Sequence, residues 1–374
     1  MHALLGGFLR SPQFKAQITR ETRSAVQRAL ASWRITDLDQ QQPQPVYVQD
    51  ESKKIAFEVI VRTLMSIGPG EDLNFLRREF EEYIKGFISL PIKLPGTRLY
   101  KSLKAKGRMI KVIRSIIEQR KISIEKENNK RSSSSEEGST SIPKDIIDVL
   151  LRDTLESSAD ETQPRLPLDS ISENIIEMMI PGEETVPTSL TLAVKFLSDS
   201  PLILARLLEE NMELKKRKEQ SGDEYDWTDY VSLPFTQNVI SETLRMGNIV
   251  NAVWREAVKD VTIKGHFIPK GWCVLASFSS IHMDEANYEN PYEFNPHRWE
   301  KSGANVNSNK FTPFGGGQRL CPGLELSRLE IAISLHHLVT TYSWVAEDDD
   351  ITYFPFVRLR RKLPITITPL VGAI

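Results

Sequence analysis

Residues Phe311–Gly323 read FTPFGGGQRLCPG, and this segment restricts the possible folds more than any other. Its three consecutive glycines, Gly315 to Gly317, allow positive φ and a close approach of the backbone to a flat partner. Cys321 then stands at the mouth of an apolar helix, where the helix dipole and unpaired backbone N–H groups would stabilise a thiolate. A thiolate in a tight glycine loop is what an axial haem ligand requires, and Arg319 would neutralise a haem propionate. The alternative, a buried cysteine after a glycine turn, would account for one residue but not for the whole arrangement.

Composition excludes several classes of protein. The chain has 374 residues, of which 40% are hydrophobic and 26% are charged, so it can form a sizeable core. Its 48 Lys and Arg balance 50 Asp and Glu, which argues against a nucleic-acid-binding protein. The two cysteines, Cys273 and Cys321, form no disulfide framework and indicate a reducing compartment. No apolar run approaches the roughly 18 residues that span a bilayer, and no signal peptide is visible. The chain is therefore expected to be soluble or at most peripheral.

The periodicity along the chain predicts a mainly α fold with a small β portion. The polar, serine-rich stretch 121–141 is expected to be a flexible surface loop within a single domain that covers residues 1–374. The apolar segment 87–96, FISLPIKLPG, is broken by two prolines. It is either a buried loop or a lid that faces lipid or substrate. Cys273 is expected to be a buried thiol, and the adjacent His336 and His337 are expected to be packing residues because they point about 100° apart on a helix.

Two further groups of residues suggest chemistry. Glu242 and Arg245 share one helix face and can pair. In the stretch 179–187, MIPGEETVP, two prolines and a glycine are expected to disturb a long helix and free carbonyl groups, which makes a polar notch for dioxygen and water. A simple helix break with solvent-facing acids is the alternative.

The pattern Phe314, Gly317, Arg319, Cys321 and Gly323 resembles the haem-binding loop of the cytochromes P-450. The resemblance implies haem b as cofactor, with Cys321 as the axial thiolate ligand of its iron. It also implies the fold of that family, here without the membrane anchor and the first helices with which family chains begin.

The same resemblance assigns roles to other positions. Arg255 matches a residue that contacts a haem propionate, although a surface ion pair is the alternative. Arg298 would join Glu242 and Arg245 in a buried structural cluster. In the notch, Thr185 would hydrogen-bond the bound dioxygen and Glu184 would relay protons, whereas Pro181, Val186 and Pro187 depart from the commonest form of the motif.

Longer phrases, such as LPIKLPGT and MIPGEETVPT, are similar to those of plant brassinosteroid-biosynthetic members of the family, in particular the steroid carbon-23 hydroxylases. This implies a monooxygenase that uses dioxygen and hydroxylates the side chain of 22-hydroxylated steroids. Its electrons would come from NADPH through NADPH–cytochrome P-450 reductase. The resemblance further implies a monomer with no nucleic-acid partner at the cytoplasmic face of the endoplasmic reticulum membrane. The alternatives are a carbon-22 hydroxylase, a haem enzyme that rearranges peroxides without a reductase, and an inactive haem- or sterol-binding remnant.

Overall fold

The computed structural model describes residues 2–38, 44–132, 142–156, 168–300, 309–353 and 357–370. The chain divides into two compact units. The first consists of Met1–Ala25 and Lys53–Glu184, and the second of Val26–Ser52 and Thr185–Ile374. That the chain is a single domain stays a prediction.

Helices dominate the described residues, as predicted. They are α1 (His2–Leu9), α2 (Pro12–Leu38), α3 (Val48–Met65), α4 (Glu71–Ile84), α5 (Arg98–Ser132), α6 (Ile146–Glu156), α7 (Leu168–Ser198), α8 (Pro201–Ser221), α9 (Trp227–Val231), α10 (Pro234–Gly247), α11 (Ser279–His282) and α12 (Leu324–Val339). None of these helices combines the length and the apolar composition that a membrane crossing requires.

The strands are short, and every pair is antiparallel. They are β1 (Val46–Tyr47), β2 (Ala252–Glu256), β3 (Val261–Ile263), β4 (His266–Ile268), β5 (Cys273–Ser277), β6 (Tyr342–Ala346), β7 (Ile351–Thr352), β8 (Arg358–Leu359) and β9 (Pro364–Pro369). One three-stranded sheet has the order β1-β9-β6, and the pairs β2-β5, β3-β4 and β7-β8 complete the β structure. The prediction of a mainly α fold with a small β portion is confirmed.

The first unit has its own apolar core. Helix α4 contributes one apolar face to this core. The buried side chains on that face recur every three or four residues, namely Leu73, Leu76, Phe80 and Tyr83. They pack in one cluster with buried side chains of α3, α5, α6 and α7, including Met109. The cluster stabilises the helices against each other mainly by removing apolar surface from water.

In the second unit, α12 is buried on nearly all sides and contacts α8, α9 and α10. Its two histidines are the packing residues that were predicted. His336 Nδ1 lies 3.0 Å from Asn211 Oδ1, and His337 Nε2 lies 3.2 Å from the Tyr230 hydroxyl. Both buried imidazoles are thus paired with polar atoms, as burial requires.

The predicted loop at 121–141 is wrong in its first part. Helix α5 continues through Lys121 to Ser132, and Ile124 is buried in the core of the first unit. Lysine and glutamate are good helix formers, so a polar stretch with one buried isoleucine extends the helix instead of ending it. Residues 133–141 lie outside the described residues.

One of two alternatives about burial is excluded, and one expectation is corrected. The segment 87–96 is not a buried loop, because Leu90 and Leu94 are 75% and 61% exposed. Cys273 is exposed rather than buried. It lies on a two-stranded sheet of which most side chains face solvent, so an apolar strand sequence did not lead to burial there.

The alternative of a simple helix break at 179–187 is excluded. Helix α7 is continuous from Leu168 to Ser198 and passes through both Pro181 and Pro187. Two hydroxyl groups add bonds to its carbonyls, from Ser189 Oγ to the Thr185 oxygen at 2.8 Å and from Thr191 Oγ1 to the Pro187 oxygen at 2.7 Å. These bonds do not reach the carbonyls of Glu177 and Glu183, which the two prolines deprive of a backbone N–H donor.

Candidate active site

The cysteine loop, residues 311–323, is held in shape by its own backbone. The N–H of Cys321 donates to the Phe314 carbonyl at 3.0 Å, and that of Gly315 donates to the Thr312 carbonyl at 3.0 Å. Gly315 and Gly317 have φ of 75° and 64°, a region that favours glycine. Glycine is therefore favoured at positions 315 and 317 by the turns that bring Cys321 to the start of α12.

The sulfur of Cys321 is accessible and has a backbone donor beside it. Gly323, which caps α12, donates its backbone N–H to the sulfur, and this lowers the pKa of the thiol. Although Cys321 is accessible to solvent, protein surrounds it closely enough that desolvation outweighs this bond and raises the pKa. The sequence anticipated the helix N-terminal donor but not the opposing desolvation.

The loop leaves room for a flat partner. A Cβ atom built at Gly316 or Gly317 would meet no atom within 4 Å. An accessible sulfur, a backbone donor to it and open space beside the glycines are what a thiolate ligand of a haem iron needs. The residues present therefore fit that cofactor.

The two predicted propionate-binding arginines are exposed. Arg319 ends the short 3₁₀ helix Gly317–Arg319 within the loop. Arg255 lies on β2, and its Nη1 donates to the Trp254 carbonyl at 2.7 Å. Both cations are accessible to an anionic group.

The structure brings Glu242, Arg245 and Arg298 together. Arg245 donates to both carboxylate oxygens of Glu242, at 2.8 and 3.0 Å, and Arg298 Nε donates to Glu242 Oε1 at 2.9 Å. Glu242 and Arg245 are fully buried. A buried carboxylate with this many charge-assisted bonds is rigid and fixes the segments that carry its partners.

Sequence reasoning missed other members of this cluster. Trp299 Nε1 donates to Glu242 Oε2 at 3.0 Å, and the Asn295 N–H donates to Glu242 Oε1 at 3.1 Å. Arg245 Nη1 also donates to the carbonyls of His282 and Pro291, at 2.8 and 2.7 Å. These contacts join residues that are far apart in sequence. Helical spacing predicts contacts only between near neighbours, so it could not predict them.

Glu184, the predicted proton relay, forms an ion pair that the sequence did not suggest. Lys53 Nζ, on α3, lies 2.7 Å from Glu184 Oε1 and 3.4 Å from Glu183 Oε1. Glu183 is buried, and its Oε2 has no hydrogen-bond partner among the described residues. Desolvation raises the pKa of Glu183 to about 8, although Lys53 opposes this shift. Two carboxyl groups and one ammonium group thus lie together. Thr185 follows Glu184 directly in the sequence.

A cavity of about 690 Å³ lies elsewhere in the second unit. Its walls include Arg206, Phe235, Trp299 and Arg328, and none of the predicted site residues lines it. The cavity therefore gives no support to a substrate site at Cys321.

Comparison with known proteins agrees with the fit of the cysteine loop to a haem thiolate. The family model described as "Cytochrome P450" matches residues 10–366. The chain is 57% identical, over 98% of its length, to the 3-epi-6-deoxocathasterone 23-monooxygenase CYP90C1 of Arabidopsis thaliana, and 50% identical, over 98%, to CYP90D1 of the same plant, which carries the same enzyme name. It covers 66% and 69% of these two relatives, so it spans about two thirds of their length.

A solved structure, a retinoic-acid-bound cyanobacterial CYP120A1, has the same fold. The TM-score is 0.77 at 24% identity, and the match covers 99% of this chain and 78% of that one.

Proposed function

Because this chain belongs to the cytochrome P-450 family, we propose that it is a haem-dependent monooxygenase that hydroxylates carbon 23 of a steroid side chain in brassinosteroid biosynthesis. The substrates are 22-hydroxylated intermediates, and the oxidant is dioxygen. One oxygen atom enters the steroid and the other leaves as water, with two electrons from NADPH and two protons from solvent. The observation that carries this proposal is the 57% identity to a 23-monooxygenase along a chain whose cysteine loop fits a haem thiolate.

Cys321 is the iron ligand in this proposal. When bound, haem supplies the iron on which dioxygen is activated, and a thiolate ligand donates electron density to that iron. The Gly323 N–H stabilises negative charge on the sulfur. The exposed guanidinium groups of Arg319 and Arg255 neutralise the propionates.

Proton delivery is assigned to α7. Thr185 holds dioxygen by a hydrogen bond from its hydroxyl, and the carboxyl group of Glu184 moves protons toward it. The 2.7 Å contact with Lys53 Nζ orients the carboxyl group of Glu184. Glu242, Arg245 and Arg298 take no part in the chemistry and keep the segments around α10 in place.

Electrons come from NADPH through NADPH–cytochrome P-450 reductase, and the chain acts as a monomer beside that partner. Membrane contact is assigned to the segment 87–94, in which Phe87, Ile88, Leu90, Ile92 and Leu94 are all exposed. The Thr97 hydroxyl lies 2.7 Å from the carbonyl oxygens of both Ile92 and Leu94, which holds this loop in one conformation. Apolar side chains presented in this way bury their surface in a lipid interface. The proposed location is the cytoplasmic face of the endoplasmic reticulum membrane.

The test has two stages. The haem-loaded chain is first reduced, and its carbon monoxide difference spectrum is recorded. A red-shifted Soret band is expected for the wild type and for Cys273→Ala, the matched exposed-cysteine control, but not for Cys321→Ala. The chain is then supplied with NADPH, the reductase and 3-epi-6-deoxocathasterone, and the product is expected to carry one added oxygen at carbon 23.

Each other outcome contradicts a defined part of the proposal. A red-shifted band in Cys321→Ala would remove the ligand assignment. A chain that binds no haem would favour the inactive remnant. A chain that hydroxylates carbon 22 when it is supplied with a steroid that lacks this hydroxyl group, and that leaves carbon 23 of 3-epi-6-deoxocathasterone unchanged, would be assigned to the preceding step.

A further inference from the structure

His282 is a buried histidine to which the mechanism above gives no role. It ends the short helix α11, and only 1% of its surface is exposed. Its imidazole lies between two segments that are far apart in sequence. Nδ1 is 2.9 Å from Asn248 Oδ1, at the C-terminal end of α10, and the Thr312 N–H donates to Nε2 at 3.0 Å. The ring also lies against Phe311, with centroids 5.7 Å apart.

These two hydrogen bonds determine the protonation state of the ring. A backbone N–H can only donate, so Nε2 must be the acceptor and carry no proton. Nδ1 therefore carries the proton and donates it to the Asn248 side-chain oxygen. A protonated imidazole has no acceptor, and it would leave the Thr312 N–H facing an N–H group.

The surroundings keep the ring neutral. Burial, and to a lesser extent the charge of Arg245, lower the pKa of His282 to about 4. Among the described residues, Arg245 is the charged group that acts on the imidazole, and it also donates to the backbone carbonyl of His282 at 2.8 Å. The hydrogen bond to Thr312 thus persists throughout the neutral pH range.

Thr312 connects the imidazole to the cysteine. It lies near the start of the cysteine loop, and its carbonyl accepts a hydrogen bond from the Gly315 N–H at 3.0 Å. The intervening turn contains Phe314, whose carbonyl accepts from Cys321 at 3.0 Å. A shift of Thr312 therefore moves the carbonyl that orients Cys321, while Asn248 ties the other side of the imidazole to α10.

We infer that His282 is a positioning residue for Cys321, because its imidazole fastens the start of the cysteine loop to the end of α10 and so sets where the sulfur lies. The inference rests on the proposed role of Cys321 as the haem ligand. It adds a residue that none of the sequence motifs contains. His282 acts through Thr312 and does not itself touch the reacting atoms.

The test uses substitutions at both ends of the histidine. Asn248→Asp places a carboxylate next to Nδ1, which favours the charged imidazole and raises the pKa of His282. Asn248→Gly removes the acceptor but tolerates the left-handed backbone at this position, where φ is 42°. His282→Phe keeps a ring and removes both hydrogen bonds. His266→Phe, at an exposed histidine of β4, is the matched control.

The readout is the reduced carbon monoxide difference spectrum of the haem-loaded chain, recorded between about pH 4 and pH 8. In the wild type and in His266→Phe, the red-shifted band is expected to persist until the pH approaches about 4. Asn248→Asp is expected to lose that band at a pH at least about one unit higher. Asn248→Gly and His282→Phe are expected to retain a smaller fraction of the band at neutral pH. A role in packing alone would not move the pH midpoint.

Failure of the inference is distinct from failure of the proposed function. If the wild type shows no red-shifted band, Cys321 is not the ligand and the proposed function fails. If the wild type shows the band and Asn248→Asp loses it at the wild-type pH, the positioning role of His282 is overturned while the ligand assignment stands. If His282→Phe does not fold, the two Asn248 variants decide the question.

Discussion

Single side chains in this protein matter most where one charge has several partners. Glu242 accepts from Arg245, Arg298, Trp299 and the backbone of Asn295. Lys53 is the converse case, a cation shared by Glu183 and Glu184. The first cluster was predictable in part because Glu242 and Arg245 share a helix face, whereas Lys53 is separated from its partners by about 130 residues.

The Lys53 ion pair yields a prediction at this scale. Lys53→Met should reduce the steroid product formed per NADPH consumed by roughly 3- to 10-fold, because a partly buried ion pair that is lost costs about 1 kcal/mol or slightly more. Glu184 would then lose the contact that fixes its carboxylate. The measurement is the ratio of product to NADPH consumed in the reconstituted enzyme.

Lys54→Met is the matched control, since Lys54 is the neighbouring exposed lysine on α3. Lys53→Arg should recover part of the coupling, because it keeps the charge. The red-shifted carbon monoxide band should be the same in all these variants. An unchanged ratio in Lys53→Met would show that Glu184 does not depend on this lysine.

At the scale of elements, the backbone requirement of glycine predicted the local structure more reliably than apolar and polar patterns did. The glycines of the cysteine loop predicted a turn, and the backbone there does adopt positive φ. The prolines of α7 predicted a disturbed helix, yet α7 runs continuously through both of them, and Ile175, Met179 and Leu192 are buried. The energy of packing a long apolar face exceeds the few kcal/mol that a proline costs.

The exposed apolar segment 87–94 leads to a prediction about membrane binding. The double substitution of Leu90→Asp with Leu94→Asp should weaken binding to phosphatidylcholine vesicles at least about tenfold, because each leucine buried in lipid contributes about 1.5–3 kcal/mol. Binding is measured by co-sedimentation with the vesicles.

Leu202→Asp, on the exposed surface of α8, provides the control for a charge placed at an exposed leucine. It should bind vesicles as the wild type does. Equal loss of binding in both proteins would indicate a general charge effect and would contradict membrane contact through segment 87–94.

At the scale of the whole molecule, buried ionisable groups tie stability to pH. Burial raises the pKa of Glu330 to about 8, and Glu183 has a pKa of about 8 as well. In the unfolded chain these carboxyl groups lose their protons near pH 4.5, whereas in the folded protein they keep them until about pH 8. The unfolded state therefore binds fewer protons between these values, and stability falls as the pH rises. His282 acts in the opposite sense, and its contribution is lost as the pH falls from 6.5 towards 4.

The free energy of unfolding should accordingly decrease between about pH 5 and pH 8, and Glu330→Gln should make that decrease smaller by a few kcal/mol. Denaturant titrations at several pH values measure it. Glu256→Gln, at an exposed position of β2, controls for the substitution itself. A slope in Glu330→Gln as steep as in the wild type would contradict a protonated Glu330 in the folded state.

The sequence alone determined the features that depend on neighbouring residues. The turn at Gly315–Gly317, the cysteine at the start of α12, the pairing of Glu242 with Arg245 and the mainly helical fold all follow from local backbone freedom and helical spacing. Only the tertiary structure decided which groups meet across long stretches of chain, such as Lys53 with Glu184 and His282 with Thr312. It also decided that Cys273 and the segment 87–96 are exposed. The physical reason is that burial and electrostatic pairing depend on which distant surfaces pack together, and no local pattern records that choice.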